Sequence, residues 1–70
     1  MKYEDFIAML WSWVGNCPKE WRRGQAVFNV IEERFGVARD VQFEDGVDCF
    51  YDDSKINEFI ECSWKRISAN

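Results

Sequence analysis

Three stretches of this chain repeat apolar residues every three to four positions, the period of an α-helix, and they follow one another within only 70 residues. In the first, residues 3–14, Tyr3, Phe6, Ile7, Leu10 and Val14 fall on one stripe, with Glu4, Asp5, Ala8 and Ser12 opposite. Trp11 and Trp13 are two positions apart and so flank the stripe on either side. Glu4 and Asp5 suit the positive end of the helix dipole, and Gly15 and Asn16 supply a stop. Pro18 can start a further helical turn over residues 19–22, and Gly24 lets the chain bend or lets backbones approach closely. In the second stretch, residues 25–35, Val27, Phe28, Ile31 and Phe35 share one face and Gln25, Asn29, Glu32 and Glu33 the other, with Gly36 closing the helix. The third follows Asp52, Asp53 and Ser54, any of which can cap it. It turns Ile56, Phe59, Ile60, Ser63, Trp64 and Ile67 inward and ends near Ile67. Glu61 and Lys65 on its outer side are spaced for a weak ion pair.

Residues 37–51 admit two readings. Asp45-Gly46 between Val41/Phe43 and Val47/Phe50 is a two-residue hairpin signal, which would give an α+β fold with a short hairpin at 41–51. The flanks are short, and an isolated hairpin is marginal. The preferred reading is a short helix over residues 37–42 followed by an ordered acidic loop. The expected fold is therefore mainly α. It is a small three-helix bundle with a short extra helix or acidic loop between helices 2 and 3, in one domain over residues 1–70. A chain this short buries roughly 62% of its unfolded surface, a marginal core. Here 17% of residues are aromatic, which lets it manage without disulfides or metal and excludes a disordered chain.

The 13 acidic and 9 basic residues are unevenly spread. Residues 40–53 hold Asp40, Glu44, Asp45, Asp48, Asp52 and Asp53 and no base, while the rest of the chain has a slight basic excess. Overall acidity argues against a free-standing DNA-binding domain. The longest uncharged run, residues 6–18, is too short to span a membrane, and Glu4 and Asp5 do not suit a signal peptide. Cys17, Cys49 and Cys62 are odd in number and lack C-x-x-C spacing, so they read as thiols in a reducing cytoplasm.

The run Trp21-Arg22-Arg23-Gly24-Gln25-Ala26-Val27-Phe28-Asn29 and the run Asp48-Cys49-Phe50-Tyr51-Asp52-Asp53-Ser54-Lys55-Ile56, followed by Phe59, carry a resemblance. Together they resemble a group of small hypothetical proteins of gut anaerobes, phages and prophage-like regions. The resemblance covers residues 21–64. It implies a phage or mobile-element setting and no particular activity. A proline common in that group at the place of Cys49 would spoil a central strand there, which supports the loop reading.

No histidine is present, so a cysteine nucleophile has no imidazole base, and His-ligated metals are excluded. Asp45, Asp48, Asp52 and Asp53 invite a divalent-ion reading, but Gly46 falls out of frame for an EF-hand, since Val41 would take the first ligand position. The acids read instead as a solvated loop, with Asp52 or Asp53 able to pair with Arg22 or Arg23 and tie the loop to the start of the second helix. Gln25 and Asn29, with Arg22 and Arg23, make a basic and amide patch. The two amides could bond each other, the loop backbone or a partner. Trp11, Trp13, Trp21 and Trp64, with Met9 beside Trp13, are more apolar surface than a small monomer easily hides. The expectation is a cytoplasmic, non-enzymatic protein-interaction module without cofactor or metal. Its partner would be another protein or a second copy, met through an aromatic surface rimmed by the acidic segment. The alternative is a nucleic-acid-binding regulator using Arg22, Arg23, Arg34 and Arg39.

Overall fold

The second periodic stretch becomes the centre of the molecule, because its apolar residues are wide enough around the helix to meet neighbours on several sides. In the computed structural model, which describes residues 1–69, four α-helices follow in order: α1 (Tyr3–Gly15), α2 (Arg23–Phe35), α3 (Ala38–Phe43) and α4 (Ile56–Ser68). A 3-10 turn, Asp53–Lys55, leads into α4. The chain is mainly helical, and no strand occurs among the described residues. Helix α2 touches α1, α3, α4 and the 3-10 turn. It buries Gly24, Ala26, Val27, Phe28, Val30 and Ile31, whereas α1 buries only Phe6 and Leu10.

The core draws on every element: Phe6 and Leu10 from α1, Val27 and Ile31 from α2, Ala38 and Val41 from α3, Cys49 from the loop and Phe59 from α4 are fully enclosed. Burying large side chains of this kind stabilises by about 1.5–3 kcal/mol each. Aromatic rings knit the elements at their edges. Phe6 stacks on Trp64 with centroids 5.2 Å apart and meets Phe35 edge-on at 5.6 Å. Phe28 meets Phe50 edge-on at 5.4 Å and Phe59 at 5.5 Å. The Ser63 hydroxyl, on the inner stripe of α4, is buried and has no hydrogen-bond partner among the described residues.

The segment between α2 and α4 resolves in favour of the helix. Ala38 and Val41 face the core three positions apart, a spacing a helix satisfies and a strand does not. Asp45-Gly46 therefore ends a helix and joins no strands, so the hairpin at 41–51 is not formed. Gly46 adopts φ +71°, and the Val47 N–H donates to the Val41 carbonyl at 3.3 Å, folding the chain back on α3. The helical turn expected at 19–22 is also absent as a helix. A single turn, with Trp21 N–H donating to Pro18 O at 3.1 Å, precedes α2, which begins two residues earlier than its apolar pattern.

Two helix starts are capped from elsewhere in the chain. Arg22 and Val37 supply no side-chain cap to α2 and α3. In their place Asp53 accepts the Gly24 N–H at 3.1 Å, and Glu32 of α2 accepts the Arg39 N–H at 3.2 Å. Each carboxylate satisfies an otherwise orphaned donor and sits at the positive end of a helix.

Candidate interaction surface

The loop between α3 and the 3-10 turn is held against the start of α2 by residues from both quoted sequence runs. Arg22 donates to the Phe50 carbonyl, and its Nε lies 3.9 Å from Asp53 Oδ1. The Cys49 thiol donates to the Gly24 carbonyl at 3.3 Å. A side chain at residue 24 would run into the Cys49 carbonyl and come within 2.6 Å of Asp53 Oδ1, so the approach requires glycine. The expected pairing of Arg22 with Asp53 is thus present, and it sits beside a backbone contact that residue types alone do not announce.

Among the described residues, five of the six acids of residues 40–53 are engaged and Asp40 is not. Arg66 of α4 forks onto Asp45 through two bonds, at 3.1 and 3.0 Å, and reaches Glu44 at 3.1 Å. The Arg66 hydrogen bonds hold the Asp45 carboxyl below the usual carboxylate range. Asp48 accepts the Phe50 N–H at 2.8 Å in an Asx turn. Asp52 caps the 3-10 turn, accepting from Ser54 N–H at 3.0 Å and Ser54 Oγ at 2.6 Å, which lowers its own proton affinity. Asp40 is exposed on α3. Among the described residues no three His, Cys, Asp or Glu side chains converge as a metal site. Cys49 is buried, and burial, reinforced by Asp48, pushes its thiol up to about 12; Cys17 and Cys62 are half-buried, and all three are free.

Anchoring the loop presents aromatic side chains to solvent. Phe43, at the end of α3, is 77% exposed and Tyr51 is 75% exposed. With Phe28, Phe50, Arg39 and Gln42 they line a groove of about 320 Å³. Phe28 is buried and Phe50 half-buried, so the groove has an aromatic floor. Its position on α3 follows from helical spacing, since residues 39, 42 and 43 share one face.

The tryptophans are placed differently from these rings. Trp11, Trp13, Trp21 and Trp64 are all half-buried. The Arg23 guanidinium lies 5.0 Å from the Trp11 ring centroid and that of Arg34 4.2 Å from Trp13. Trp13 also packs toward Phe35, with centroids 6.1 Å apart. Met9 is 36% exposed. Trp11 borders two further clefts, one shared with Arg23, Asp53 and Asn57, the other with Tyr3, Ile7 and Ile60. Gln25 and Asn29 are half-buried, and among the described residues no hydrogen bond joins their amides to each other or to the loop. The four arginines of the nucleic-acid reading go to four places: Arg22 to the loop, Arg23 and Arg34 onto tryptophans, and Arg39 to the groove.

The sequence places Phe43 in a hairpin flank and Tyr51 in the second run without giving either a contact role, and Arg66 stands out in no pattern. The signal for the two rings was present: both stand in the acidic segment, outside every apolar stripe. Compared with protein-family models, curated proteins and solved structures, the chain matches none. No described helix is long and apolar enough to cross a membrane.

Proposed function

We propose that this chain is a non-enzymatic protein–protein interaction module, and that it contacts its partner through the Phe43–Tyr51 groove. The observation that carries this is the exposure of two large aromatic side chains, 77% and 75%, beside a floor formed by Phe28 and Phe50. Aromatic residues in such settings are the common anchors of protein interfaces. They are also held in place before binding, Phe43 by α3 and Tyr51 by a loop fastened to α2 through Arg22, Gly24 and Asp53. That lowers the ordering cost of association. Met9 and Trp11 on α1 offer a second apolar surface for the same kind of contact. A cytoplasmic, phage or mobile-element setting belongs to this reading through the resemblance of the two sequence runs.

The test is affinity capture of the tagged chain from its native cell, with and without nuclease, alongside Phe43→Ser, Tyr51→Ser and Trp11→Glu variants whose helicity is checked by circular dichroism. A stoichiometric protein that survives nuclease and is lost from the Phe43 and Tyr51 variants is the expected result. Loss only from Trp11→Glu would move the contact to α1. Recovery of nucleic acid, or of proteins released by nuclease, would overturn the interaction reading.

A further inference from the structure

The chain has five arginines, and four are engaged within it. Arg22 and Arg66 bind carboxylates, and Arg23 and Arg34 lie over tryptophan rings. Arg39 differs. Its backbone N–H is taken by Glu32, but among the described residues no carboxylate lies within ion-pair distance of its guanidinium. Among the described residues this arginine is the single charged side chain lining the aromatic groove.

The nearby acids do not cancel it. Glu32 spends one oxygen on the Arg39 N–H, Asp40 is exposed on α3 outside the groove, Glu44 and Asp45 are held by Arg66, Asp53 by Gly24 and Arg22, and Asp48 and Asp52 are turned onto the backbone of their own loop. None of them lines the groove. The segment richest in negative charge therefore presents a local surface of aromatic rings, one cation and the Gln42 amide, which can both donate and accept. A groove of about 320 Å³ lies at the small end of binding-site volumes, enough for an anchoring side chain and its neighbour.

From this we infer that the groove receives a partner segment presenting an aromatic or aliphatic side chain next to a carboxylate. The apolar side chain rests among Phe28, Phe43, Phe50 and Tyr51, and the carboxylate meets Arg39. This rests on the interaction reading above and adds the sign of the partner's charge, which is opposite to what the acidic composition of residues 40–53 suggests. An arginine fork fits a carboxylate through two parallel hydrogen bonds, and complementary charge at such a site sets partner choice.

The test uses the full chain and three fluorescein-labelled peptides of equal length, each with one Phe in a Gly/Ser background, followed by Glu-Glu, Gln-Gln or Lys-Lys. Binding is read by fluorescence polarisation. On the natural protein the expected order is Glu above Gln above Lys. Arg39→Gln should weaken the Glu peptide roughly fivefold and leave the Gln peptide unchanged. Arg39→Glu should reverse the order, and Tyr51→Ser should weaken all three. A Lys peptide that binds best to the natural protein, or an order indifferent to both Arg39 variants, overturns the inference. So does binding of none of the peptides. So does a single-stranded oligonucleotide that binds more tightly than the Glu peptide with the same dependence on Arg39. A captured partner lost from Phe43→Ser but indifferent to Arg39→Glu would defeat this inference and leave the interaction reading standing.

Discussion

Replacing Gly24 by alanine sets two effects of opposite sign against each other. Gly24 lies in the first turn of α2, where alanine is intrinsically the better helix former by about 1 kcal/mol. Propensity alone therefore forecasts a more stable protein. The surroundings forecast the reverse. The added Cβ would meet the Cys49 carbonyl, which is backbone and cannot swing aside, and would come within 2.6 Å of Asp53 Oδ1. Relief requires the loop to move off α2. That loses the bond from Gly24 N–H to Asp53, about 1–2 kcal/mol for a half-exposed charged acceptor. It also loosens buried Cys49 and the Phe50–Phe28 contact, about 1–2 kcal/mol more. The net expectation is a loss of about 2 kcal/mol, lowering Tm by roughly 8–16 °C in a domain of this size. Thermal melts and urea titrations followed by circular dichroism read it directly. Gly15→Ala is the control: beyond its own helix backbone and chain neighbours nothing among the described residues lies within 4 Å of its added Cβ, so it should be neutral or gain up to about 1 kcal/mol. A Gly24→Ala protein as stable as the natural one would refute the docking of the loop on α2.

Other substitutions probe the remaining features. Ser63→Ala removes a buried hydroxyl that has no partner among the described residues and should stabilise by about 1 kcal/mol, raising the urea midpoint without changing the slope; a loss of stability would mean that the hydroxyl is bonded. Arg66 holds the Asp45 carboxyl below its unfolded value of 3.8, so the native state binds fewer protons than the unfolded chain in the acid range. This contribution is fully present above that value and is lost as pH falls through the lower folded one. Stability measured against pH should accordingly show a shallower acid limb in Asp45→Asn than in the natural protein. The Cys49 thiol, pushed up to about 12 by burial, should resist an alkylating reagent at neutral pH until the protein unfolds, while half-buried Cys17 is modified in the folded state; peptide mass spectrometry separates the sites.

Local pattern made the helices legible. Phe6 and Leu10, Val27 and Ile31, and Phe59 and Ile60 are inward on their stripes and buried in the fold, because helix period and core burial are the same constraint seen twice. Gly36 closes α2 where its position after Phe35 says it should. The helical reading of residues 37–42 was available from the Ala38–Val41 spacing, although Asp45-Gly46 pulled toward a hairpin. What escaped is what depends on distant residues. Gly24 looks like a bend until the Cys49 carbonyl is known to sit against it. Glu61 and Lys65 have the spacing of a helix pair, yet among the described residues α4 and its approach pair Lys55 with Glu58 and Arg66 with Glu44 and Asp45. No rule of periodicity reaches across 21 residues to find the latter. Phe43 and Tyr51 are exposed because the fold leaves no element over them, and that too is a property of the assembled molecule.

The fastening of the loop to α2 also makes one part of the molecule depend on another. Its bonds join residues 25 to 29 positions apart, from Cys49 to Gly24 and from Gly24 to Asp53, so each must close a long loop of chain before it contributes anything. None of them can form until the first turn of α2 exists to offer its carbonyl and N–H. The docking of the loop is thus contingent on the helix it fastens to. Phe50 and Tyr51 are carried by that loop, so the groove exists only while the loop is docked on α2, and a partner that fills the groove holds the docked arrangement closed.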